Sequence, residues 1–371
     1  MKDIFCDISI DKKEEHFKKV IEYRENLKLN PDLQQLFIEV TLRCNENCLH
    51  CGSNAGCKQS DKGVITNVEI IQTLKTLKTD LEKDRKALPF IVITGGEPLL
   101  RKNLIELVKE IHKLGYEWGM TSNGVLITQD MARQLKEAGM YSIGLSLDGL
   151  EGTHNWFRQT KNGYQKAIEG FENLKSVGQH NVMITTVVNK RNIHQLDEML
   201  ALLIKLKCKT WRIINIEPIG RALKNKELML DKEEYKQMYK FIVNHQSERS
   251  INIISSCNHY IGLNYERQIR PWYFRCQAGV SVASIQCNGD ISACLDIERR
   301  PEFVFGNIRN DNLYNVWLKG FKIFRGHSKT EQSTKCKNCK QRDKCDGGGW
   351  HTWNFDKNEP RICMYNIIND A

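Results

Sequence analysis

Three cysteines within eight residues, Cys44-Asn-Glu-Asn-Cys48-Leu-His-Cys51, constrain this 371-residue chain more than any other stretch of its sequence. The thiols are close enough to reach one inorganic cluster, and the run supplies no fourth. Four thiolates close an iron-sulfur cubane, so three leave one iron available to something else. An open position on a bound metal is where chemistry takes place, whereas a closed one only staples a loop. A zinc knuckle is the structural alternative, but structural zinc wants four ligands. The nearby Cys57 is expected to have no role.

From residue 35 to about 220, strand-like and helix-like segments alternate, the pattern of repeated β/α units around a parallel sheet. Strands are expected at 36–41, 90–94, 118–122, 142–147, 182–188 and 210–216. Apolar residues at helical spacing predict helices at 67–81, 103–114, 130–138, 164–177 and 193–206. Active residues in barrels of this kind gather at the C-terminal ends of strands, and Cys44 falls just after the first. Immediately after the second comes Thr94-Gly95-Gly96-Glu97-Pro98. Its glycines permit close backbone approach or positive φ and its proline stiffens the turn; alone, it reads as an ordinary turn.

The C-x3-C-x2-C spacing, with Gly-Gly-Glu-Pro one strand later, resembles the radical S-adenosylmethionine (radical SAM) superfamily. The resemblance implies an α/β fold, a partial (β/α)6 barrel, and a [4Fe-4S] cluster on Cys44, Cys48 and Cys51. S-adenosylmethionine (SAM) would chelate the remaining iron and be cleaved by one electron to methionine and a 5'-deoxyadenosyl radical, which abstracts hydrogen from carbon. It also implies that the backbone of Gly95 and Gly96, with Glu97, holds the methionine ammonium. Ser122-Asn123 after the third strand and Ser146 and Asp148 after the fourth suit ribose hydroxyls or the methionine carboxylate, although such residues also form turns. Arg158 matches the arginine that relatives place on the SAM carboxylate, where a planar fork is apt; a surface salt bridge is the alternative. His50 fills the position where many relatives set an aromatic ring against adenine. Asn189 and Glu217-Pro218-Ile219-Gly220-Arg221 complete the rim, the latter similar to the sixth-strand segment of maturases and tetrapyrrole-modifying enzymes.

A second cysteine array occupies the last hundred residues. Cys276, Gly289 and Cys294, then Cys336-x2-Cys339-x5-Cys345, then Cys363, resembles the SPASM extension of radical SAM maturases, which normally binds two auxiliary clusters. Where another cysteine is usual, three residues after Cys345, the chain has Gly349. Cys336, Cys339, Cys345 and Cys363 suffice for a distal cluster, with a zinc ribbon as the alternative. The proximal set would be Cys276, Cys294 and Cys287. Because Asn288-Gly289 is a strong two-residue turn signal, Cys287 and Cys294 are expected on opposing strands, which puts Cys287 in doubt as a ligand. The resemblance thus implies one or two auxiliary clusters, the proximal one with an open iron or a non-cysteine ligand. Asp296 lies where related enzymes keep a proton acceptor. Cys6, Cys208 and Cys257 read as unligated buried thiols.

Composition narrows the setting. The chain has 14 cysteines and no signal-like or membrane-length apolar run, so they read as metal ligands in a reducing cytoplasm rather than as disulfides. The net charge is +10, and nine Lys or Arg between Lys319 and Cys345 face only Glu331 and Asp343. Such a patch suggests nucleic acid. Interleaved with cysteines, it instead offsets thiolate charge or meets an acidic peptide, and neither nucleic acid nor membrane is expected as a partner. The expected division is an N-terminal helical extension (1–34, too short for the separate leader-peptide-binding domain of some maturases), a radical SAM core (35–225), a helical linker (226–270) and an auxiliary-cluster domain (271–371). The expected function is a radical SAM/SPASM maturase of a ribosomal peptide, reduced by flavodoxin or ferredoxin. Tetrapyrrole side-chain modification, anaerobic sulfatase maturation and a non-enzymatic iron-sulfur scaffold or redox sensor are the alternatives.

Overall fold

The computed structural model describes residues 10–255, 259–326 and 328–370; Cys6 and Cys257 lie outside them. A helix, α1 (Ile10–Leu29), leads into β1 (Gln35–Glu39). The β/α units then run α2 (Asn67–Lys83), β2 (Phe90–Thr94), α3 (Leu104–Lys113), β3 (Trp118–Ser122), α4 (Gln129–Glu137), β4 (Met140–Ser146), α5 (Glu151–Arg158), α6 (Gly163–Ser176), β5 (Val182–Val188), α7 (Leu196–Lys205) and β6 (Thr210–Asn215). The six strands are parallel neighbours in sequence order. Along β2, β4 and β6 buried residues alternate with partly buried or exposed ones, so one face of the sheet packs into the core. Ile38, Ile91, Ile93, Ile143 and Leu145 are buried with Trp118 and Trp211. The indoles of the two tryptophans keep a partner each, Ala138 O at 3.0 Å and Thr186 Oγ1 at 2.8 Å.

The structure departs from the sequence reading in three places. The segment 226–270 is not wholly helical: between α8 (Lys232–Asn244) and α9 (Leu263–Ile269) it carries β7 (Asn252–Ser255), which joins the sheet beside β6. An additional helix, α5, precedes α6. Its buried side is His154, Phe157 and Arg158, so a search for apolar periodicity passes it by. The third difference is the hairpin of β8 (Val282–Ile285) and β9 (Ile291–Ser292), which pairs with the outer edge of β1 and makes a nine-stranded sheet, β7-β6-β5-β4-β3-β2-β1-β8-β9. Its turn is centred on Cys287 and Asn288. Gly289 has φ 92° and donates its N–H to Gln286 O, while Gln286 N donates to Asp290 O, both at 2.8 Å. This is the three-residue loop with a glycine bulge, not the two-residue Asn-Gly turn.

Candidate functional site

The cysteine loop leaves the C-terminal end of β1, with Cys44 and Cys48 buried and Cys51 half-buried. Burial pushes the Cys44 thiol up to about 11 and Cys48 well above its ordinary value, and in both the neighbouring thiols add to the rise. Three thiolates held this way need a bound cation. The loop is fixed from several sides. The Arg221 guanidinium donates to Cys48 O and Ala55 O, both at 2.7 Å, and Asn225 Nδ2 donates to Leu49 O at 2.9 Å. Gly220 (φ 54°) packs so closely that a Cβ would stand 2.4 Å from both Cys51 O and Gly52 O. The Pro218–Arg221 segment is therefore a brace beneath the loop.

Gly95 and Gly96 extend the ladder between the loop and β2. Gly96 N donates to Thr41 O and Glu97 N to Arg43 O, both at 2.8 Å. A Cβ on Gly95 would lie 2.4 Å from Thr41 O, and one on Gly96 would lie 2.2 Å from Arg43 O. The carboxylate of Glu97 is engaged within the protein. It is fully buried and accepts from Ser122 Oγ (2.9 Å), Asn123 N (2.8 Å) and Leu99 N (3.2 Å), while burial pushes its carboxyl up to about 7. It therefore ties β2 to the end of β3. Asn123 faces the cysteine loop, its Nδ2 donating to Asn45 Oδ1 at 2.7 Å.

Two buried carboxylates engage Arg158. Its Nε donates to Asp148 Oδ2 at 2.7 Å and its Nη1 to Glu46 Oε2 at 2.8 Å. Burial would weaken the guanidinium, but Asp148, Cys48 and Glu46 outweigh it and hold it firmly charged. The other oxygen of Asp148 accepts from Val187 N at 2.7 Å, so neither Asp148 nor Arg158 presents a free fork. Asn47 N and Leu49 N donate to the carbonyls of Arg158 and Phe157, which knits the end of α5 into the cysteine loop. His50 stacks on Phe157 at 4.3 Å and 8°, and burial pushes its imidazole down to about 4. Asn189 is buried in its own turn, accepting from Arg191 N and donating to Val187 O. Ser146 sits half-buried at the end of β4. Sequence reasoning missed Glu46 and Asn45, whose only signal is their place between two of the cysteines.

In the C-terminal region Cys336, Cys339, Cys345 and Cys363 line a single cavity of about 340 Å3. The cysteines of the expected proximal set lie in and around the β8–β9 hairpin. Cys287 lies in the hairpin turn, its N–H on Glu39 Oε2 at 3.1 Å. Cys294 lies past Ser292, which pairs with Ser284. The two thus stand at opposite ends of the hairpin. Cys276 Sγ accepts from Trp350 N at 3.5 Å. Asp296 is exposed. Glu217 accepts from His259 Nε2 at 2.8 Å, and His351 lies within electrostatic reach of both Glu217 and Asp296. Cys57 is exposed, and buried Cys208 has its Sγ 3.2 Å from Thr210 O.

A parallel β/α sheet with a three-thiol loop at its C-terminal edge defines a radical SAM protein, and residues 38–203 match the family model of the Radical SAM superfamily. Residues 276–340 match the iron-sulfur cluster-binding domain SPASM. The chain belongs to the radical SAM superfamily and carries a C-terminal SPASM domain. The mycofactocin maturase MftC of Mycolicibacterium smegmatis is 31% identical over 314 residues, covering 84% of this chain and 76% of that protein. An AdoMet-dependent heme synthase of Oleidesulfovibrio alaskensis is 26% identical over 335 residues, 86% of this chain and 83% of the relative. Streptococcus suis SuiB bound to S-adenosylmethionine shares the fold with a TM-score of 0.70 at 18% identity, over 91% of this chain and 77% of that one. The cofactors of the family are a [4Fe-4S] cluster with SAM and auxiliary iron-sulfur chemistry. The residues fit them. Two buried thiols and one half-buried thiol share the loop, Glu46 Oε1 and His50 Nδ1 are buried beside them without a protein partner, and four further thiols share the C-terminal cavity. No helix among the described residues is long and apolar enough to cross a membrane.

Proposed function

We propose that the protein is a cytoplasmic radical SAM/SPASM maturase acting on a ribosomally made peptide. The 31% identity to a mycofactocin maturase across most of the chain carries this reading. Bound at the loop, the cluster and SAM supply a carbon-centred radical able to take hydrogen from an unactivated carbon. In this reading Cys44, Cys48 and Cys51 hold that cluster, and Cys336, Cys339, Cys345 and Cys363 hold the distal one. The backbone at Gly95 and Gly96 lines the methionine end, the imidazole of His50 faces the adenine, and Ser122, Asn123 and Ser146 border the ribose. Glu97, Asp148, Arg158 and Asn189 hold those groups in place. Asp296, with His351, Glu217 and His259, accepts the proton released when the substrate is oxidised. The basic residues Lys335 and Arg342 beside the distal cavity suit an acidic peptide, and a flavodoxin or ferredoxin delivers electrons.

Purified without oxygen and loaded with iron and sulfide, the protein is expected to release 5'-deoxyadenosine from SAM under dithionite. Cys48→Ala is expected to reduce release to the level of a protein-free blank. Cluster loading without SAM turnover in the wild type would instead favour a scaffold or sensor. A short peptide encoded beside this gene should change mass when SAM and reductant are present. Tetrapyrrole modification is the second reading, favoured by the heme synthase relatives that cover 86% of the chain; it requires an absorbance change on mixing with an iron-coproporphyrin or siroheme-type chromophore.

A further inference from the structure

A lysine is buried beside the cysteines of the C-terminal domain. Lys329, on the one-turn helix Ser328–Glu331, is only 6% exposed although its chain ends in an ammonium. Its Nζ donates to Gly348 O at 2.8 Å and lies 4.8 Å from the ring centre of Trp350 and 4.9 Å from that of Trp353. A buried ammonium is costly unless it finds acceptors, opposite charge or aromatic faces, and this one has all three, since Asp346 and the thiols Cys276, Cys345 and Cys336 surround it. Lys329 is thus within electrostatic reach of thiols from both expected auxiliary sites.

The surrounding space is filled as well. Gly349 stands where the SPASM pattern has a cysteine, and the next residue, Trp350, donates its backbone N–H to Cys276 Sγ. The Trp350 ring packs edge-on against Phe324 at 4.7 Å, and Phe324 in turn lines a cavity of about 10 Å3 with Cys294. Gly347, at φ 71°, lets the chain pass: a Cβ there would lie 2.9 Å from the Trp353 ring and 3.1 Å from Lys329 Cε. Thus Trp350 links Cys276 to both Phe324, which lies with Cys294, and the Lys329 ammonium, while the four distal thiols border open volume.

We propose that the Lys329 ammonium, clamped between Trp350 and Trp353, has taken the place of the proximal auxiliary cluster, so that the chain carries two clusters, one at the Cys44 loop and one at the distal thiols. No open auxiliary iron is then available to bind substrate, whichever substrate the enzyme uses. Lys329 instead acts as a fixed positive charge beside the distal thiolates, favouring the more reduced and more negative state of whatever they hold.

The test is iron and sulfide counting on the fully loaded, full-length protein. About eight irons per chain, two four-iron clusters, are expected; about twelve would overturn the proposal. The double variant Cys276→Ser/Cys294→Ser is expected to keep all its iron, whereas Cys336→Ser/Cys339→Ser is expected to lose about half. Iron loss from the Cys276/Cys294 variant would equally overturn it. Lys329→Met keeps length and removes charge. The midpoint potential of the distal cluster, followed by electron paramagnetic resonance, is expected to move to more negative values in this variant. An unchanged midpoint would show that Lys329 does not lie beside that cluster.

Discussion

Replacing Arg158 with methionine is expected to empty the Cys44 loop of iron and abolish SAM cleavage. The change leaves Asp148 and Glu46 as buried carboxylates without their cation, and breaking a buried pair by removing one partner costs about 3–5 kcal/mol. The loss falls on the cysteine loop itself, because Glu46 lies between Cys44 and Cys48 and the end of α5 bonds to Asn47 and Leu49. Arg158→Lys should rescue little, since a single ammonium cannot reproduce a planar fork shared between two carboxylates. Iron content, the thermal midpoint and 5'-deoxyadenosine release should fall together. An Arg158→Met protein with full iron and full turnover would show that the bridge is dispensable.

The Gly96→Ala variant should be nearly as damaging for a steric reason. The added Cβ would lie 2.2 Å from Arg43 O, and its obstacle is backbone rather than a side chain that could swing aside. Relief requires the loop and the Gly-Gly segment to part by about 1 Å, and a misplacement of that size costs on the order of a hundredfold in rate. Gly152 provides the control, since a Cβ there meets nothing within 4 Å. Gly152→Ala, inside α5, should be neutral or stabilising by about 0.5–1 kcal/mol. Equal turnover in Gly96→Ala and Gly152→Ala would refute the close-packing argument.

The strands at 90–94, 118–122 and 182–188 are legible to the residue because β-branched and aromatic runs are bounded by turn formers, and the cysteine loop is legible because thiols at fixed spacing have few other uses. What escapes the sequence is direction. Glu97 and Arg158 stand out by type, yet whether their side chains face a ligand or the scaffold depends on partners such as Ser122, Asp148 and Glu46, 10 to 112 residues away. The polar buried face of α5 and the four residues of β7 defeat periodicity for the same reason, since tertiary contacts rather than local pattern define them. Cys287 shows how two residues in a hairpin can be near in sequence and remote along the strands. Lys329 carries no local signal at all; only the packing of Trp350 and Trp353 around it reveals its position.

The pairing of β8 with β1 matches Gln35 through Ile38 with Val282 through Ile285. Some 240 residues separate these partners, so during synthesis the opening strand keeps one raw hydrogen-bonding edge until the last third of the chain has emerged. Contacts so distant in sequence are slow to form, and an unpaired apolar edge is a template for misassembly in the meantime. The cysteine-rich tail therefore shields the first strand of the sheet, and the catalytic half is not finished until the tail is in place.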